Sequence, residues 1–199
     1  MRKIYIGIDP DLRLLNASIV TDDLKLLAVF ARRNKGGMDN VAVENSVSAA
    51  LQLCNDVRFF ISTSQTEPVR TVLCIESQNM ERARQDRARG KKINPEDIRR
   101  LAQVTGSVMG VFRSYIGEIK LLQPIIWKKT MKDHIVQSRA YSTLSLTSYP
   151  MGGKKPYHVP CDVTRARITL FSHDKINPGD FSDISDSIAI AVYGAKNNL

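Results

Sequence analysis

Residues 3–10 read Lys3-Ile4-Tyr5-Ile6-Gly7-Ile8-Asp9-Pro10, and this stretch decides the fold. It is short, apolar and rich in β-branched side chains, which fits a buried central strand better than a helix. Pro10 cannot donate to a strand ladder, so the strand stops there. The residue before that stop is a carboxylate, Asp9. A charge at the mouth of a buried strand costs free energy unless something compensates it. A metal ion is one compensator, and it requires other carboxylates to reach the same edge.

The chain has 199 residues, 43% of them hydrophobic, enough for one domain with a real core and too few for two large ones. We therefore expect a single domain over residues 1–199. Lys and Arg number 29 against 20 Asp and Glu, a formal charge of +9. Such an excess suggests a polyanionic partner, most simply nucleic acid, although a generally basic soluble protein carries the same sign. Cys54, Cys74 and Cys161 are far apart and odd in number. They match neither a disulfide framework nor a zinc site and suggest a reducing compartment. Asp9 interrupts the apolar run that follows Met1-Arg2-Lys3, so no signal peptide is expected. No apolar run approaches the ~18 residues of a membrane span. The expectation is a soluble, cytoplasmic protein with no membrane partner.

Past Pro10, Asn16 to Thr21 reads as a second strand, Asp22-Asp23 as a tight turn and Leu24 to Ala31 as a third strand, which makes an antiparallel meander. Val41 to Ile61 carries Val43, Val47, Ala50, Leu51, Cys54, Val57, Phe60 and Ile61 at helical spacing. Val69 to Ile75 is another apolar, β-branched run, and it ends on Glu76. A second strand thus delivers a second carboxylate at its C-terminal end, where α/β folds place their chemistry; alone, Glu76 would read as a capping or solvated acid. Pro95, with Glu96 and Asp97 behind it, opens a helix running to about Tyr115. In it Gly106 and Gly110 sit among Val104, Val108, Val111 and Phe112, a small-residue face that implies close packing, in the core or against a partner. Ile119 to Leu122 is a short strand, and Ile125 to Lys129 opens a helical turn. Val136 to Pro160 has little periodicity and much Ser, Thr, Gly, Pro and Lys, so the stretch from about 130 to 160 reads as an irregular excursion. Thr164 to Phe171 reads as a helix, Asn177-Pro178-Gly179 as a turn, and Phe181 to Ala195 as the last helix.

That last helix carries Asp183 and Asp186, spaced to project from one face. Acids in a first turn are also favoured by the helix dipole, and an isolated pair would be read that way. Here the pair opens an Ala- and Ile-rich helix that must pack on a sheet, facing the edge of Asp9 and Glu76. Four carboxylates without interleaved His or Cys select hard cations, Mg²⁺ or Mn²⁺. Two such ions ~4 Å apart stabilise the attacking and leaving oxygens of a phosphoryl displacement. Next to Glu76, residues 82–92 hold Arg82, Arg84, Arg87, Arg89, Lys91 and Lys92 with only Asp86 among them. Most charge runs are solvated loops; beside a metal site, this one reads as a phosphate-contacting arm.

The ordered set Ile-Gly-Ile-Asp-Pro, Cys-Ile-Glu-Ser-Gln, Leu-Ala-Gln-Val-Thr-Gly, Trp-Lys-Lys and Asp-Ile-Ser-Asp-Ser-Ile-Ala-Ile-Ala closely resembles the RuvC family of Holliday-junction resolvases, over most of the chain except residues 130–160. The resemblance implies an α/β, RNase H-like fold: a five-stranded mixed sheet, its first three strands antiparallel, flanked by helices. It implies that Asp9, Glu76, Asp183 and Asp186 are the catalytic acids holding two Mg²⁺, with Mn²⁺ able to substitute. It implies a homodimer that acts on four-way DNA junctions by paired nicks, leaving 5′-phosphate and 3′-hydroxyl ends. A two-fold dimer suits a junction with two equivalent strands, and the helix from Pro95 to Tyr115, with Gly106, Gly110 and Phe112, is the candidate interface; packing on the protein's own sheet is the alternative. Lys128, Lys129 and Lys132 lie where the family has lysines contacting the scissile region, or they are plain phosphate contacts or surface charge. Members can carry an aromatic wedge a few residues beyond the middle Glu; here only Met80 is available. Two positions depart from the family's glycines, Asp11 and Asn16, residue types that tolerate left-handed backbone. Asp11 also adds negative charge beside the metals. The long stretch from 130 to 160 points to a divergent, phage-type member.

Two other classes compete. A nucleotide-binding fold of the actin and sugar-kinase type also opens with a Gly-x-Asp strand and hairpin, but it needs a second similar domain and a second phosphate loop. A non-catalytic RNase H-fold protein that binds branched DNA would be expected to lose one or more carboxylates, and all four are present.

Overall fold

The computed structural model describes residues 1–34, 40–77, 94–153, 156–161, 170–172 and 176–199. Its frame is the meander β1 (Lys3–Pro10), β2 (Leu14–Thr21) and β3 (Leu26–Arg33), each strand antiparallel to the next. Helix α1 (Asn40–Ser64) leads to β4 (Arg70–Glu76), which pairs parallel to β1. Helix α2 (Pro95–Arg113) leads to β5 (Glu118–Leu122), parallel to β4. The result is the expected five-stranded mixed sheet, β5-β4-β1-β2-β3, and a short β8 (Leu170–Ser172) extends it parallel to β3. Of the expected helix from Thr164 to Phe171, residues 164–169 lie outside the described residues, and Leu170 and Phe171 belong to this strand.

The period-two alternation of a strand sends successive side chains to opposite faces, and here it fixes where the acids go. On β1, Ile4, Ile6 and Ile8 enter one core with Leu53, Cys54 and Val57 of α1 and Val104, Val108 and Phe112 of α2. Tyr5 enters the other core, beneath the last helix α5 (Phe181–Lys196), with Val72 and Cys74 of β4. Gly7 and Asp9 share the parity of Tyr5, and Glu76 shares that of Val72 and Cys74. Both carboxylates therefore leave their strands toward α5. The parallel register Gly7↔Cys74 and Ile8↔Ile75 brings the two strand ends side by side.

Helix α5 lies close on β1. A Cβ on Gly7 would stand 2.2 Å from the Ser187 carbonyl oxygen and 2.4 Å from the Ala191 nitrogen, so only glycine admits the helix at that depth. Ser18 Oγ and Ser187 Oγ, 2.6 Å apart, pin the same helix to β2.

Helix α2 begins as its sequence dictates: the Asn94 side chain accepts from the Glu96 amide, and Pro95 follows the cap. Its packing corrects one expectation. Phe112 is fully buried in the protein's own core with Val104 and Val108, so it is not an interface residue. Gly106 and Gly110 lie on the outward side, where an added Cβ would meet nothing within 4 Å. Two residues turn a helix by ~200°, which separates the 104-108-112 stripe from the 106-110 stripe.

The stretch expected to be irregular is also corrected. After the short α3 (Pro124–Trp127) it forms α4 (Asp133–Thr143) and a hairpin of β6 (Ser148–Met151) with β7 (Tyr157–Pro160). Both pack on α5, and Val136, Ala140, Tyr141 and Leu144 join its core. Pro178–Asp180 forms a 3-10 turn ahead of α5. Among the described residues no helix is long and apolar enough to cross a membrane.

Candidate active site

Three structural elements converge at one end of the sheet. Asp9 is half-buried at the end of β1, Glu76 is buried at the end of β4, and Asp186 is buried one turn into α5. Asp183 lies one turn earlier on α5, half-buried. Into this group reaches Lys128, the residue that caps α3. Its Nζ stands 3.1 Å from Asp186 Oδ2, 3.5 Å from Glu76 Oε2 and 3.2 Å from Asp133 Oδ1. The ammonium also lies 4.6 Å from the centre of the Trp127 ring. Of the three expected lysines only Lys128 enters the group; Lys129 and Lys132 are exposed.

The electrostatics are those of an under-compensated anionic site. Burial, then Glu76 and Asp186, push the Asp9 carboxyl well above the usual carboxylate range. Burial also raises Glu76 and Asp186, while Lys128 pulls both back down. Burial, with Asp11 as the strongest charged neighbour, pushes Asp183 up to about 7. Burial opposes the charge on Lys128, but Asp186 and Glu76 hold its pKa above the ordinary lysine value. Among the described residues, one ammonium beside these acids leaves negative charge that a further cation would neutralise.

The donor set fits a hard divalent cation. All four acids offer only oxygen, the ligand Mg²⁺ and Mn²⁺ prefer. Among the described residues Glu76 Oε2 is buried without a hydrogen-bond partner, and its one close charge is the Lys128 ammonium 3.5 Å away, so the oxygen keeps acceptor capacity that a cation could use. Among the described residues no three acids already close into a metal cage. The Lys128 ammonium lies between Glu76 and Asp186.

One residue that sequence reasoning missed completes the site. Gln137 of α4, fully buried, donates from Nε2 to Asp186 Oδ1 at 2.9 Å. No motif marks it. At the two departures from the family's glycines the tolerance for left-handed backbone is not used: neither Asp11 nor Asn16 has positive φ. Asn16 is instead buried within β2, and its Nδ2 donates to the Leu14 carbonyl. Asp11 Oδ1 accepts from the Arg13 amide at 2.7 Å, closing the turn after β1. Met80, Arg82, Arg84, Arg87, Arg89, Lys91 and Lys92 lie outside the described residues.

No protein-family model matches the sequence, and no curated protein matches it. Solved structures do. A Thermus thermophilus RuvC in complex with a Holliday junction substrate aligns with a TM-score of 0.57 at 14% identity, covering 98% of this chain and 94% of that one. A second T. thermophilus RuvC structure aligns at 0.53 and 14% identity, over 98% and 96% of the two chains. This chain therefore has a RuvC-like, RNase H-type fold.

Proposed function

We propose that this chain is a metal-dependent, structure-selective endodeoxyribonuclease that resolves four-way DNA junctions, or related branched DNA, by paired nicks. The observation that carries the reading is the meeting of Asp9, Glu76 and Asp186, from two strands and a helix, around the half-buried ammonium of Lys128. A stable fold gains nothing from gathering acids whose burial raises the pKa of each, whereas a phosphoryl-transfer site requires it. The fold likeness to a RuvC in complex with a Holliday junction substrate and the formal charge of +9 support the substrate class.

Asp9, Glu76, Asp183 and Asp186 would hold the cations, two Mg²⁺ or Mn²⁺. Bound there, they supply Lewis-acid polarisation of the scissile phosphate and a water of lowered pKa as nucleophile. The chain's own residues do the rest. Lys128 places a fixed positive charge beside the acids, where charge builds on the phosphate oxygens in the transition state. The Lys129 and Lys132 side chains, exposed on the same segment, meet flanking phosphates. Attack by water with departure of the 3′ oxygen leaves 5′-phosphate and 3′-hydroxyl ends. We propose a homodimer as the working unit, docked through the outward face of α2 at Gly106 and Gly110.

The test is incubation with labelled four-way junctions, flaps and linear duplex, in Mg²⁺ and in chelator. The expected result is symmetric cutting of the junction in Mg²⁺ only, lost in Asp9→Asn and Asp186→Asn, both of which still bind the junction. Cutting that persists in chelator, or near wild-type cutting by either variant, overturns the proposal.

A further inference from the structure

We propose that Gln137 is a positioning residue that divides the two oxygens of Asp186, holding Oδ1 and leaving Oδ2 alone to face the cation. The inference rests on the metal-dependent reading above and adds to it the role of α4 and the β6–β7 hairpin.

The orientation of the Gln137 amide is fixed by its neighbours. Its Oε1 accepts from the backbone N–H of His158 at 2.8 Å. A backbone N–H can only donate, so the oxygen end must face β7 and the NH₂ end must face α5. There Nε2 donates to Asp186 Oδ1 at 2.9 Å and to the Ser182 carbonyl at 3.3 Å. The other carboxylate oxygen, Oδ2, faces Lys128 Nζ at 3.1 Å. Swinging the carboxylate to offer both oxygens to one ion would break its bond to the amide.

The support for Gln137 is itself anchored to α5. Ser185 Oγ donates to the His158 carbonyl at 2.9 Å, and the Tyr141 hydroxyl lies 3.1 Å from Ser185 Oγ. Both peptide groups of His158 are thus bonded, one to Gln137 and one to the helix that carries Asp186. Hydrogen-bond partners of ligating side chains fix ligand orientation, and losing one costs ~10–100-fold in metal affinity.

The test measures Mn²⁺ binding by calorimetry on the 199-residue chain, with thermal melts in chelator beside it. Gln137→Met keeps the length of the side chain and removes all three of its hydrogen bonds. Ser148→Ala removes the hairpin's own bond between Ser148 Oγ and His158 Nδ1, 2.9 Å in length, and leaves Gln137 in place. The expected result is Mn²⁺ affinity ~10–100-fold weaker in Gln137→Met and within about twofold of wild type in Ser148→Ala. Should Gln137→Met fail to fold, Gln137→Asn, which keeps the amide and shortens its reach, must show the same weakening. Wild-type affinity in the Gln137 variant that folds, or an equal loss in Ser148→Ala, overturns the inference while leaving the nuclease reading standing. A wild type that binds no Mn²⁺ overturns both.

Discussion

Gly7 and Ser187 are in backbone contact: a Cβ built on Gly7 would come within 2.2 Å of the Ser187 carbonyl oxygen. This one approach sets how far the helix carrying Asp183 and Asp186 sinks onto the strand carrying Asp9. The obstructing atoms include the helix backbone at Ser187 and Ala191, which cannot move aside as a flexible side chain can. Gly7→Ala should therefore displace α5 and cost ~3 kcal/mol, at the upper end for overpacking. In a chain of this size that lowers Tm by ~6–12 °C. Cleavage should fall further than the melt implies, because Asp9 and Asp186 separate. A melt and cleavage rate equal to wild type would show that the helix is seated elsewhere.

Lys128 answers a different question, whether the acids need a cation to stay buried together. Lys128→Met removes the ammonium that stands 3.1 Å from Asp186 and 3.5 Å from Glu76. Removing one partner of a buried charge group costs ~3 kcal/mol or more. In chelator the variant should melt ~6 °C or more below wild type. Saturating Mg²⁺ should close most of that gap by neutralising the same acids, and cleavage should stay low. A gap of the same size with and without Mg²⁺ would mean that Lys128 and the metal act at separate places.

The acids were legible in the sequence because each is tied to a periodic element. Asp9 and Glu76 end apolar strands whose alternation dictates the face they leave from, and Asp183 and Asp186 share one stripe of an Ala- and Ile-rich helix. Helix α4 was hidden because its buried positions are Val136, Gln137, Ala140 and Tyr141, a mixed stripe that does not look apolar. Gln137 is buried to serve a carboxylate on another element, and only the tertiary fold brings the two together. Phe112 departs from the expected interface because α2 has two stripes, a buried one with Phe112 and an outward one with Gly106 and Gly110. Nothing in the spacing of Lys128, Lys129 and Lys132 marks the first as the one turned inward; the cap of α3 does that.

Asp183 gives the metal-free protein a pH dependence of definite sign. Burial and the neighbouring Asp11 push its carboxyl up to about 7 in the folded chain, against ~3.9 for an unstructured aspartate. Between those values the folded state holds a proton that the unfolded state has lost. The stability this represents is present at low pH and is lost as pH rises from about 4 through 7. Asp183→Asn removes the titration. In chelator the variant should melt close to wild type near pH 4 and above it by ~3 °C or more at pH 8. Added Mg²⁺ should favour the wild type instead. A gap between the two proteins that does not change with pH would show that Asp183 titrates normally and stands apart from the cluster.

The last prediction concerns assembly. The outward face of α2 offers Gly106 and Gly110 with open space before them, so a second backbone could approach closely there. The test variant must not disturb the core, which rules out Phe112→Glu: Phe112 is fully buried, and a charge at that position would unfold the chain. Gly106→Glu has the opposite character. A Cβ there meets nothing within 4 Å, and replacing glycine inside an exposed helix adds up to ~1 kcal/mol of helix propensity. The monomer should therefore melt at or above wild type. In a two-fold dimer the new charge would meet its own copy across the axis. Light scattering at micromolar concentration should give a dimer for the wild type and a folded monomer for Gly106→Glu, and the monomer should bind four-way junctions more weakly and nick only one strand. A wild type that is monomeric without DNA would remove the free dimer from the proposal, and a dimeric Gly106→Glu would move the interface to another face.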